Sequence, residues 1–202
     1  MLGVGIILGV QLSLAENYRV ACGSQGNHIE FAVENGSKGA VANIRVDVVN
    51  APSWLQVTSR EQVLKEILPG KEATTNFYFA IDKSAIVGSA GTLTITITAA
   101  GERWNKAVDI EVTAPDRFAL LQNYPNPFNP ATMIEYTLPK QSKVSLKVFN
   151  VLGEEVRTLV DEFQDAGYKT VSFDANNLPS GMYFYRLQTG SFVDVKKMLM
   201  MK

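Results

Sequence analysis

Thr92-Leu93-Thr94-Ile95-Thr96-Ile97-Thr98 decides the fold class. Leu93, Ile95 and Ile97 alternate with four threonines, and successive side chains of a strand point to opposite faces. The segment reads as a strand with one buried and one solvated face, as in an antiparallel sheet. The same period of two recurs around it. Ile29-Glu30-Phe31-Ala32-Val33 alternates and runs into Asn35-Gly36, a pair that tolerates positive φ and signals a tight hairpin turn. Residues 44–49, 74–81 and 107–112 read as further strands. Residues 61–68 fit one short helix or an irregular edge strand, ended by Pro69-Gly70. Trp54 follows Ala51-Pro52-Ser53 and reads as a core plug at a strand crossing. Six to eight short strands over roughly a hundred residues predict a β-sandwich.

Thr113-Ala114-Pro115-Asp116-Arg117 is a short, stiff connector, because Pro115 cannot donate to a ladder and keeps Ala114 extended. Beyond it the alternation resumes. Val144, Leu146 and Val148 alternate with Ser145 and Lys147. Val156, Thr158 and Val160 follow a turn at Leu152-Gly153, and residues 170–173 follow Asp165-Ala166-Gly167. Tyr183-Phe184-Tyr185-Arg186-Leu187 leads to a turn at Thr189-Gly190 and a last strand from Phe192. Neither half carries a convincing amphipathic helix. The expectation is an all-β chain of two tandem antiparallel β-sandwiches, over residues 16–114 and 120–202, with a linker at 115–119.

Composition closes off much chemistry. The 202 residues include 19 Lys and Arg, 20 Asp and Glu, one Cys and one His, for a net charge of −1. That balance argues against an electrostatic grip on nucleic acid by the whole chain. Cys22 alone makes no intrachain disulfide, and Cys/His zinc clusters are excluded. Any Ser-His-Asp or Cys-His nucleophile must use His28, and no Gly-x-Ser-x-Gly elbow is present. His28 therefore reads as structural. Glu154, Glu155, Asp161, Glu162 and Asp165 read as a solvated hairpin rather than paired catalytic acids, and no EF-hand pattern is present. No catalytic, cofactor or metal site is expected.

Residues 1–14 form an uncharged apolar run, too short to span a bilayer. With Ser13-Leu14-Ala15 as a small-x-small cleavage site, residues 1–15 read as a signal peptide lacking its basic n-region. The alternative is a buried strand of a larger protein. Tyr183-Phe184-Tyr185 and Phe77-Tyr78-Phe79 put aromatics on both faces of their strands, so an outward ring could stack on a sugar.

Asn123-Tyr124-Pro125-Asn126-Pro127-Phe128-Asn129-Pro130 is the most distinctive segment. Its prolines fix φ at three positions and push Tyr124, Asn126 and Asn129 toward extended backbone, with the aromatics free to pack on the sandwich. This run is followed by Ala131-Thr132-Met133-Ile134-Glu135-Tyr136, Val148-Phe149-Asn150-Val151-Leu152-Gly153-Glu154-Glu155-Val156, Leu178-Pro179-Ser180-Gly181-Met182-Tyr183 and Lys196-Lys197-Met198. Together they resemble the C-terminal sorting domain of type IX secretion, and are similar to the Ig-like domain of flagellar hook-capping proteins. The first region more loosely resembles bacterial Ig-like accessory modules, through residues 31–35, 51–54 and 87–93.

The resemblance implies a seven-stranded Ig-like domain that addresses an exported, non-enzymatic protein to the type IX machinery at the outer membrane. The protein would then be secreted or held at the cell surface by way of the periplasm. It implies sorting roles for residues 123–130, Gly153, Gly181, Tyr183, Lys196 and Lys197. Lys196 and Lys197 also suit a plainer role as the charged edge of a last strand. No nucleic-acid partner and no spanning segment is expected. A surface adhesin or glycan-binding module is the alternative reading, and a hook-cap-like assembly factor the next.

Overall fold

The structure is a computed structural model that describes residues 3–7 and 17–202. The cleavage site expected at Ser13-Leu14-Ala15 lies outside the described residues, as does the rest of the leader apart from residues 3–7. The described residues contain strands and no helix. The chain divides into two compact units, up to Thr113 and from Ala114.

The first unit contains β1 (Gly3–Ile7), β2 (Asn17–Ala21), β3 (Asn27–Glu34), β4 (Val41–Asn50), β5 (Leu55–Val57), β6 (Glu61–Ile67), β7 (Glu72–Ile81), β8 (Ala90–Ala99) and β9 (Glu102–Thr113). They form two sheets, β1-β3-β7-β5 and β2-β9-β8-β4-β6. Leu93, Ile95 and Ile97 of β8 are buried together with Ile29, Phe31 and Phe77 of the other sheet. Each such side chain contributes about 1.5–3 kcal/mol by leaving water. On the opposite face of β8, Thr92 donates to Asp109 at 2.7 Å and Thr96 to Asn105 at 2.7 Å, tying β8 to β9.

Three expectations change and one ambiguity closes. Pairing is antiparallel except for β1 on β3 and β2 on β9, which are parallel. Residues 61–67 are a strand paired with β4, which settles the helix-or-strand ambiguity. Asn35-Gly36 is not a hairpin turn, because β3 and β4 belong to different sheets. Asn35 is buried, and its amide donates to Gly39 and Ile67 carbonyls, both at 2.8 Å, so its polar capacity organises a crossover. Trp54 is only half-buried, and β8 carries Gly91 beneath it. A Cβ at Gly91 would lie 2.5 Å from Pro52 Cγ, so glycine permits this close approach.

The second unit contains β10 (Ala119–Leu120), β11 (Ala131–Leu138), β12 (Ser142–Phe149), β13 (Glu155–Gln164), β14 (Gly167–Asp174), β15 (Gly181–Thr189) and β16 (Phe192–Met200). Their sheets are β10-β11-β14 and β13-β12-β15-β16. Ile134, Tyr136 and Phe173 from one sheet meet Leu146, Tyr185 and Leu187 from the other in a shared core. The chain crosses between sheets from β14 to β15, where Tyr183 Oη donates to the Pro179 carbonyl at 2.7 Å. A tyrosine bonded to backbone a few residues upstream at this crossover is the tyrosine-corner device of Ig-like sandwiches. It gives Leu178-Pro179-Ser180-Gly181-Met182-Tyr183 a structural purpose.

Candidate functional site

Register places the candidate positions of the second unit toward one end of its sandwich, with Lys196 at the middle of β16. Phe149, Phe184 and Lys197 pair across β12, β15 and β16, and Gly181 pairs with Met200. Phe128 bridges to Met200, and Ala175 N–H donates to the Pro130 carbonyl at 3.0 Å. The 122–130 loop, the 150–154 turn, the 175–180 crossover and the end of β16 therefore converge. The opposite end, formed by residues 139–141, 165–166 and 190–191, holds none of them.

The loop is held by two anchors. Asn123 and Phe128 are buried, whereas Tyr124, Pro125, Asn126, Pro127 and Asn129 are exposed. Tyr124 is 81% exposed, so of the two aromatics only Phe128 packs on the sandwich. Tyr124 is instead fixed through its backbone, which exchanges two 3.0 Å hydrogen bonds with Met133. The bonds preceding Pro125, Pro127 and Pro130 are all cis.

Asn123 uses its full polar capacity. Its N–H donates to Tyr185 Oη at 2.8 Å, and its side-chain amide donates to the Pro125 carbonyl and Thr132 Oγ1, both at 3.0 Å. Its Oδ1 accepts from Gln122 Nε2 at 2.7 Å. Tyr185 Oη in turn donates to the Leu121 carbonyl at 2.8 Å. Burial pushes the Tyr185 phenol up to about 12, so this hydroxyl stays a donor across the biological range. Replacing Asn123 by leucine removes its three side-chain hydrogen bonds, each worth about 0.5–1.5 kcal/mol net. The expected loss of stability is about 3 kcal/mol, read as a fall in melting temperature of roughly 12–24 °C for a unit this size. An unchanged melting temperature would show that the network contributes nothing.

The loop covers half of an edge strand. One edge of β16 pairs with β15 along its length. On the other, Gln122 Nε2 donates to the Lys197 carbonyl at 2.8 Å, and Leu199 N–H donates to Asn126 Oδ1 at 3.0 Å. Phe128 N–H donates to the Leu199 carbonyl, and Met201 N–H to the Phe128 carbonyl, both at 3.0 Å. Upstream, Val195 N–H turns to Asp194 Oδ1 at 2.8 Å. Lys196 Nζ lies 4.0 Å from Asp194, while Lys197 is exposed on the outer face.

Gly153 sits in the turn between β12 and β13. Asn150 Oδ1 accepts N–H bonds from Leu152 and Glu154, both at 3.0 Å, and its amide donates to Glu154 at 2.7 Å. Gly153 has φ of +80° with open space around a notional Cβ, so conformation rather than room favours glycine there. The turn holds Val151 and Leu152 66% and 79% exposed.

The carboxylates considered as paired acids have surface partners. Glu155 accepts from Lys147 at 2.7 Å, and the Lys147 and Thr158 hydrogen bonds hold its carboxyl below the usual range. Asp161 lies 2.8 Å from Lys143, which lowers it likewise. In the first unit, His28 lies on the outward face beside Tyr78, their rings 5.6 Å apart, and Tyr78 is half-exposed. Sequence reasoning missed Gln122, Thr132 and Tyr185 as members of the loop network. Tyr185 carried a signal, since a phenol on the core face of a strand needs a partner. Gln122 carried none.

Residues 122–201 match the family model described as a secretion system C-terminal sorting domain. No curated protein matches the chain. Among solved structures, the CupB2 chaperone of Pseudomonas aeruginosa is 10% identical with a TM-score of 0.29, covering 90% of this chain and 96% of its own. A protein of unknown function from Porphyromonas gingivalis W83 is 13% identical with a TM-score of 0.35, covering 91% and 94%. Dimeric latent PorU from Porphyromonas gingivalis is 12% identical with a TM-score of 0.34, covering 93% of this chain and 19% of its own. These TM-scores are too low for any of the three to carry an argument.

Proposed function

We propose that this chain, whose residues 122–201 match a secretion system C-terminal sorting domain, is an exported non-enzymatic protein that type IX machinery recognises through its C-terminal unit. The first unit is a structural or binding module, and the destination is the medium or the cell surface by way of the periplasm. The family match carries this reading. The grouping of residues 123–130, Gly153, Gly181, Tyr183 and Lys197 toward one end of the sandwich, with Lys196 next to it at the middle of β16, supports it, since one partner can touch a single end. Among the described residues no helix is long and apolar enough to cross a membrane.

Exchanging Lys196 and Lys197 for glutamate tests the tail. Their side chains make one partly exposed ion pair at 4.0 Å, an arrangement worth about 0–1 kcal/mol, so the fold should persist. Like-charge contact in an interface costs several kcal/mol, so secreted protein should fall at least about tenfold with an unchanged melting temperature. Unaltered export would remove the lysine pair from the signal.

A further inference from the structure

We propose that the outer face of the β13-β12-β15-β16 sheet docks an extended segment of a partner protein, at a depression bounded by Phe149, Val151, Phe184, Arg186 and Val195. The segment pairs apolar side chains with a carboxylate. This rests on the sorting reading, the partner being a component of the export machinery.

Register lines up Phe149 with Phe184, and Arg186 with Val195, on the face turned away from the core. Val148, Tyr185 and Leu187, the strand neighbours of these residues, are buried on the inner face. Two phenylalanines thus stand outward with no duty in the core. The adjoining turn adds exposed Val151 and Leu152, held in place by the Asn150 hydrogen bonds. A rigid apolar tip loses little freedom on binding. The depression measures about 370 Å³, room for a few side chains.

Charge complementarity defines the occupant. Arg186 is the one charged residue among those lining the depression, and its Cζ lies 4.8 Å over the Phe149 ring. The ring pre-positions the guanidinium while its N–H groups stay available. The nearby Glu155 carboxylate is hydrogen-bonded by Lys147 at 2.7 Å and attracts Arg186 only through space, and exposed Lys197 adds positive charge in the row beside Phe184. A cation set in an apolar wall suits a carboxylate flanked by apolar groups.

The test uses the full chain, its Val151→Ser/Leu152→Ser and Arg186→Gln variants, and a labelled peptide of alternating leucine and aspartate. The wild type should bind this peptide and not its lysine counterpart. Each variant should bind at least about tenfold more weakly and be exported correspondingly less, with an unchanged melting temperature. Equal binding by wild type and variants would overturn the proposal, as would binding to anionic lipid vesicles in place of the peptide. Normal export of the variants, when removal of residues 118–202 abolishes export, would overturn the docking site while leaving the sorting reading intact. Export that survives that removal would overturn the sorting reading instead.

Discussion

Replacing Phe128 by alanine is expected to lower the stability of the C-terminal unit by about 3–5 kcal/mol, the range for removing a buried aromatic ring. Phe128 is 2% exposed and packs against Phe173, their ring centroids 5.9 Å apart. It is also the buried anchor of an otherwise exposed stretch, and its backbone exchanges two hydrogen bonds with the end of β16, donating to the Leu199 carbonyl and accepting from Met201 N–H. Losing the ring leaves a cavity and releases the point where the loop seals the strand. For a unit of about 90 residues with a typical total of about 5–15 kcal/mol, that is a large share of the stability. Thermal denaturation should show a fall of at least roughly 12 °C. Tyr124→Ala is the control, because that side chain is 81% exposed in the same loop, and its effect should stay within about 0.5 kcal/mol. Equal melting of the Phe128 variant and the wild type would mean that the loop is held by other contacts.

Strands with one buried face were legible from alternation alone. Leu93, Ile95 and Ile97 are buried as their spacing requires. Positions that depend on long-range pairing were not legible. Asn35-Gly36 has the local chemistry of a hairpin turn, yet the carbonyl of Ile67, far along the chain, draws the Asn35 amide into a crossover. The spacing of residues 61–67 could not separate helix from edge strand, because that depends on the neighbouring β4. Tyr124 and Phe128 look alike as aromatics in a proline-rich loop, and only register against β16 separates the buried one from the exposed one.

The candidate site divides in the same way. Its segments could be recognised one by one, and residues 122–201 match the family model. Their convergence on one end could not be read, since it follows from how β12, β15 and β16 pair. The outward contact of the Arg186 guanidinium with the Phe149 ring was hidden for the same reason. Two residues from different strands meet only once register is set.

Export is the central claim, and comparing the full chain with a form lacking residues 118–202 tests it most directly. Both are produced in a host that carries the secretion system, and each is quantified in periplasm, medium and cell surface. The first unit keeps its own two sheets and buried core in the shortened form, so it should still fold. The predicted result is a shortened protein confined to the periplasm while the full chain reaches the surface or medium. Equal release of both forms would contradict the account.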